Sequence, residues 1–167
     1  MIYNNEPIKA VFHSTSNGRT QNASDVWEGD VPYLMSVESP GEELSPSYKS
    51  ELVKSVDEFK KAFKDYNVGF GKTLIGKINR SESGSVKTIE IGDKIFKGTE
   101  IRSIFGLRSA SFDVKVSGEK ITFYVTGNGH GVGMSQYGAN FLASTGSKYK
   151  DILKKYYTGV EIINIYE

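Results

Sequence analysis

Every second residue from Gly127 to Gly133 is glycine, in the run Gly127-Asn128-Gly129-His130-Gly131-Val132-Gly133. Glycine in the interior of a helix or strand costs about 0.5–1 kcal/mol relative to alanine, so this stretch is a poor helix and a poor packed strand. What the missing Cβ atoms offer is positive φ and close approach to another piece of backbone. A phosphate cradle would use the same property, since a strand leading through glycines into a helix N-terminus presents backbone amides to an anion. The spacing excludes it: G-x-G-x-x-G needs glycine where Val132 or Met134 stands, and no Gly-Lys-Ser/Thr follows the run to make a P-loop. The serine-hydrolase elbow G-x-S-x-G around Ser135 fails at Tyr137. His130, Gly131, Gly133, Ser135, Gln136 and Tyr137 remain as a polar, partly aromatic set on an open backbone. Such a set suits hydroxyl-rich or amide-bearing ligands, and the competing account is a turn that serves only the fold.

A second polar stretch has the same character. Pro7 to Ser14 alternates, with Ile8, Ala10 and Phe12 on one face and Lys9, Val11 and His13 on the other, which predicts a half-buried strand. It runs into Ser14-Thr15-Ser16-Asn17-Gly18-Arg19-Thr20-Gln21-Asn22, a loop that must be held by its own hydrogen-bonding groups. Ser14, Thr15, Ser16 and Asn17 are its candidate ligand contacts, while Trp27 and Tyr33 can serve as core anchors or as sugar platforms. Ser39-Pro40-Gly41 and Ser45-Pro46-Ser47 break the chain.

The rest reads as scaffold. Ser55 with Glu58 is a capping box that predicts a helix presenting Val56, Phe59, Phe63 and Tyr66, ended by Gly69. Two or three short strands are expected between Lys72 and Phe96, with a hairpin turn at Gly92-Asp93, then a short helix capped by Thr99 and stopped by Gly106. Phe112, Val114 and Val116 face Ile121, Phe123 and Val125 across the turn Ser117-Gly118-Glu119. A last helix over about 147–157, with Tyr156-Tyr157 as packing residues, leads to a closing strand from Val160 to Ile165. No regular βαβ alternation is present, so the expected class is α+β: mixed short strands and hairpins with three or four helices in a single domain.

Composition closes off whole classes of chemistry. The absence of cysteine removes disulfides, thiol catalysis and thiolate metal sites, and two histidines cannot form a three-histidine site, so neither metal nor cofactor is expected. A net charge of +1 gives no electrostatic reason to expect nucleic acid, although residues 1 to 48 carry −5 (Lys9 and Arg19 against Glu6, Asp25, Glu28, Asp30, Glu38, Glu42 and Glu43). No apolar run approaches the roughly 18 residues of a membrane span, and the first residues lack the basic and apolar regions of a signal peptide, so the chain reads as soluble and unanchored.

Pro7 to Thr20, Asp25-Val26-Trp27, Pro32 to Val37, Gly106-Leu107-Arg108-Ser109 and Gly127 to Ala139 stand in an order that resembles the stage II sporulation protein D family and its amidase-enhancer relatives. The resemblance spans residues 1–167. It implies a lytic transglycosylase that cuts peptide-free glycan strands of peptidoglycan during engulfment in endospore-forming bacteria. One Glu would protonate the glycosidic oxygen and then take the proton from the sugar hydroxyl that closes an anhydro ring. That residue lies, by the same resemblance, in an upstream Glu-Met-Pro segment, and none of Met1, Met35 and Met134 follows a Glu. The expectation is therefore the C-terminal, substrate-recognition portion of a longer domain whose parent is membrane-anchored and faces the cell wall or intermembrane space. Glu28, near Trp27, is the weak substitute for the missing acid. The implied partners are glycan strands, a sporulation amidase and membrane scaffold proteins. The alternative is a non-catalytic module that binds glycan or amidase and enhances the latter.

Overall fold

The computed structural model describes residues 1–69 and 74–164. In chain order the elements are β1 (Ile2–Tyr3), β2 (Glu6–Pro7), β3 (Phe12–His13), α1 (Ala23–Val26), a 3-10 turn (Glu42–Leu44), β4 (Lys49–Ser55), α2 (Val56–Ala62), β5 (Ile78–Arg80), β6 (Val86–Ile91), β7 (Lys94–Lys97), α3 (Gly98–Phe105), β8 (Phe112–Ser117), β9 (Lys120–Thr126), β10 (Met134–Ser135), α4 (Gln136–Ser144) and α5 (Tyr149–Tyr156). The class is α+β, as expected. Packing divides the chain into two compact units, residues 1–48 with 128–167, and residues 49–127 between them in sequence.

The unit of residues 49–127 is built on the hairpin that its alternating residues predict. β8 and β9 pair antiparallel from Phe112 opposite Val125 to Ser117 opposite Lys120, and β4 pairs with the other edge of β9 from Lys49 opposite Thr126 to Ser55 opposite Lys120. β5, β6 and β7 form a second antiparallel sheet. Between these elements Phe59, Phe63, Ile89, Ile91, Ile101, Phe112, Ile121 and Phe123 are buried. The Phe59 and Phe105 rings stack at 5.6 Å, and Phe63 meets Phe96 edge-on at 5.0 Å, the geometries aromatic quadrupoles favour.

Both predicted helices of this unit are present, with shifted ends. The capping box is complete: Glu58 N–H donates to Ser55 Oγ at 3.1 Å and Ser55 N–H to Glu58 Oε2 at 2.9 Å. That backbone bond, with Lys54 beside it, holds the Glu58 carboxyl down at about 2. The helix ends at Ala62 rather than at Gly69, because Phe63 turns back into the core with its N–H on Lys60. The second helix is capped at Lys97, whose N–H donates to Glu100 at 2.6 Å, and not at Thr99. Gly106 stops it in a left-handed conformation, as expected.

In the unit of residues 1–48 and 128–167, β3 and β10 pair in parallel, Phe12 opposite Met134 and His13 opposite Ser135. The strand expected from Pro7 to Ser14 is thus only two residues long, and its faces are reversed: His13 is buried while Phe12 is 56% exposed. Val11 N–H bonds locally to Lys9, which ends the ladder. Ile152 and Tyr156 of α5, with Tyr157 just past its end, pack into a core with Ala23, Leu34, Val132 and Val160, so the tyrosine pair packs as expected. The closing strand from Val160 is reduced to one bridge, Glu161 to Ile2, among the described residues; Ile165 lies outside them.

Candidate functional site

All four glycines of the run take positive φ, from 72° to 115°. At Gly133 a Cβ would overlap the Val11 carbonyl oxygen, so the parallel pairing of β10 with β3 requires glycine there on grounds of space as well as conformation. The result is a wall in which the two polar loops are one piece. Thr15 and Asn128 exchange backbone hydrogen bonds at 3.0 and 2.7 Å, Gln21 N–H donates to Gly131 at 2.8 Å, and Tyr137 N–H donates to Ser14 at 3.2 Å. Residues far apart in sequence, 14–17 and 128–137, therefore meet as their shared polarity suggests.

Two histidines bracket one residue of this wall, Val132. Val132 N–H donates to His130 Nδ1 at 3.1 Å, and the Val132 carbonyl accepts from His13 Nδ1 at 3.2 Å. A carbonyl only accepts, so neutral His13 carries its proton on Nδ1, and its buried Nε2 presents a bare lone pair with no partner among the described residues. Burial drives the His13 imidazole down to about 4. The two imidazole rings lie 5.7 Å apart, and the Trp27 ring lies 5.0 Å from His130 on its other contact. Among the described residues no group of three His, Asp or Glu side chains converges to hold a metal ion.

The site's main anchor is a residue that sequence reasoning passes over. Glu42 is 1% exposed and accepts from Ser16 N–H at 3.0 Å, Ser16 Oγ at 2.8 Å and Ser39 Oγ at 2.5 Å. Ser39 Oγ also lies 2.6 Å from the Tyr156 hydroxyl, whose burial pushes it up to about 12. The side chain is placed by the 3-10 turn that follows Ser39-Pro40-Gly41, which the sequence presents only as a break. A buried carboxylate is expensive unless its oxygens are hydrogen-bonded, and here two of the three donors come from Ser16 of the first polar loop and the third from Ser39. Gly138, in the first turn of α4, lets this network sit against the helix, since a Cβ there would overlap Ser39 Oγ and the Tyr156 hydroxyl.

The candidate contacts divide into two sets by burial. Thr15, Ser16 and Ser135 are buried and spend their hydroxyls on Ser45, Glu42 and the Ser14 carbonyl. Ser14, Asn17, His130, Gly131, Gln136 and Tyr137 keep surface, whereas Gly133 is buried. Glu28 is exposed and lines a cavity with Trp27. The wall can offer hydroxyl, amide, imidazole and phenol groups on a rigid backbone; its buried carboxylate is engaged in holding it.

No family model matches the chain. It is 45% identical over 166 residues to stage II sporulation protein D of Bacillus subtilis (strain 168), covering 97% of this chain and 47% of that protein. It is 45% identical over 163 residues to stage II sporulation protein D of Bacillus amyloliquefaciens. It is also 37% identical over 86 residues, half of this chain, to the amidase enhancer of Bacillus subtilis (strain 168). The resemblance read from the motifs is thus present along nearly the whole chain, which spans about half the length of the sporulation relatives and matches their C-terminal part. None of the helices among the described residues is long and apolar enough to cross a membrane.

Proposed function

We propose that this chain is the substrate-recognition portion of a sporulation enzyme that cleaves peptide-free glycan strands of peptidoglycan. The observation that carries the reading is the joining of loop 14–17 to segment 128–137 into one polar wall, clamped from behind by Glu42. Ser14, Asn17, Gln136 and Tyr137 retain surface and supply hydrogen bonds to sugar hydroxyl and acetamido groups, with His130 presenting its ring beside them. Thr15, Ser16 and Ser135 fix the loops that carry them. A neutral, hydroxyl-rich polymer suits such a wall better than a phosphate ester does, because residues 14–17 and 128–137 carry no lysine or arginine. Cleavage needs a general acid that reaches the glycosidic oxygen. In this reading the acid comes from the part of the longer relative that the chain does not match, and Glu28 is the substitute if the chain acts alone.

Mass spectrometry of peptide-free glycan strands tests it. Residues 1–167 alone, and the same residues preceded by the N-terminal half of the Bacillus subtilis relative, are each incubated with the strands. Anhydro-ended fragments from the longer chain only are expected. Fragments from the short chain move the acid to a residue within it, with Glu28→Gln as the first variant, and fragments from neither contradict the enzymatic reading. The partial match to an amidase enhancer favours one second reading, a non-catalytic module that binds glycan or amidase. It requires that this chain raise an amidase's rate on intact peptidoglycan without producing anhydro ends.

A further inference from the structure

We propose that Asn17–Gly18 is a self-modifying pair, at which the chain converts its own asparagine amide into a carboxylate through a succinimide ring. The inference does not rest on the glycan reading, since it needs only water and the loop as it stands. The chain has two Asn-Gly pairs, Asn17–Gly18 and Asn128–Gly129, one in each of the two polar loops. Glycine after asparagine leaves the following amide nitrogen open to the side chain, because no Cβ shields it. The two pairs are alike in covalent chemistry, and the fold treats them differently.

Around Asn17 the fold supplies the parts that an amide nucleophile needs. The nucleophile is the Gly18 nitrogen, whose N–H donates to Ser16 Oγ at 3.1 Å, and Ser16 Oγ donates in turn to Glu42 Oε1 at 2.8 Å. Through this relay a buried carboxylate draws the proton from the attacking nitrogen. The electrophile is Asn17 Cγ. Its Oδ1 accepts from Arg19 N–H at 3.3 Å, so a donor already faces the oxygen on which negative charge develops. Ser39 N–H donates to the Gly18 carbonyl at 2.9 Å and steadies the loop from the other side. Gly18 is exposed, takes a φ of 106°, and has nothing within 4 Å of where a Cβ would stand, which leaves room for the ring. In the reaction the Gly18 N–Cγ bond forms, the Cγ–Nδ2 bond breaks, and ammonia leaves with the proton lost by Gly18. Water then opens the ring at either carbonyl to give aspartate or isoaspartate, and nothing is oxidised or reduced. The second pair is shut in: Asn128 exchanges both backbone hydrogen bonds with Thr15, and a Cβ at Gly129 would stand 2.8 Å from that of His13. Conversion at Asn17 adds a negative charge to the polar wall, and the isoaspartate product lengthens the loop's backbone by one methylene.

Cleavage by trypsin after Lys9, Arg19, Lys120 and Lys148 puts Asn17 and Asn128 in separate peptides, 10–19 and 121–148. The folded chain is held near neutral pH, digested in heavy-oxygen water so that conversion during digestion is set apart, and read by mass spectrometry beside synthetic peptides of the same two segments. Asn17 should convert about tenfold or more faster in the chain than in its peptide, and Asn128 more slowly in the chain than in its own. Glu42→Gln keeps an acceptor oxygen but loses the base, and should bring Asn17 down to the peptide's rate, with circular dichroism confirming that the variant is folded. The comparison of chain with peptide needs no variant, so it decides even where Glu42→Gln does not fold. Asn17 converting no faster in the chain than in its peptide overturns the proposal. So does a folded Glu42→Gln that converts at the native rate, or equal acceleration at Asn17 and Asn128, because the relay serves only Asn17. The glycan reading stands or falls separately from each of these results.

Discussion

His13 and Glu42 show how the two polar loops are held by buried groups. His13 has a folded value of about 4 against an ordinary 6.5, set first by burial, so the unfolded chain binds the extra proton between those values. Its contribution is fully present above pH 6.5, declines as pH falls, and levels out below pH 4. The whole window corresponds to about 3 kcal/mol of lost stability. Urea unfolding of the native chain and of His13→Gln at pH 7 and pH 4.5 checks this, the difference between the two proteins shrinking at the lower pH. Glu42→Ala strands three donors in a buried place and should cost about 2–4 kcal/mol in the same assay, with Glu42→Gln costing less because it keeps one acceptor. Equal losses for the two substitutions would contradict the hydrogen-bonding role given to this side chain. Neither role could be read from sequence: a glutamate in a Pro-Gly-Glu-Glu turn looks solvated, and only the return of Ser16 and Tyr156 from distant positions buries it.

At the level of elements, legibility follows how local the cause is. The Ser55–Glu58 box and the hairpin around Gly118 are legible in the sequence because their determinants lie within a few residues. β4 shows no such pattern: of its inward positions Ser50, Leu52 and Lys54, only Leu52 is apolar, so the strand exists through its ladder to β9. The reversed faces of β3 have a similar source, since pairing with β10 and the bond from His13 to Val132 override the alternation of Ile8, Ala10 and Phe12. For the site, the glycine spacing told that another backbone comes close, but not that it is Val11. α4 carries a sharper consequence of close approach. Gly→Ala inside a helix ordinarily adds up to about 1 kcal/mol, yet Gly138→Ala should lose about 1–3 kcal/mol because its methyl must displace Ser39 and Tyr156. Thermal unfolding decides the sign, and a stabilised variant would show that the network yields.

Across the whole molecule, the chain interrupts one unit in sequence with another that has its own core. Residues 49–127 begin and end on paired strands, Lys49 opposite Thr126, and enclose the Phe59–Phe63–Phe123 cluster. Expressed alone, this segment should unfold cooperatively by circular dichroism; a non-cooperative melt would show that its core depends on the remainder. The polar wall, in contrast, belongs entirely to residues 1–48 and 128–167, and glycan is proposed to bind there. Titrating peptide-free glycan strands into isotope-labelled chain, with backbone amide shifts followed by NMR, tests that most directly. Shifts concentrated at residues 14–17 and 129–137 are expected, with residues 49–127 nearly silent. Shifts confined to residues 49–127, or none at saturating glycan, would contradict it.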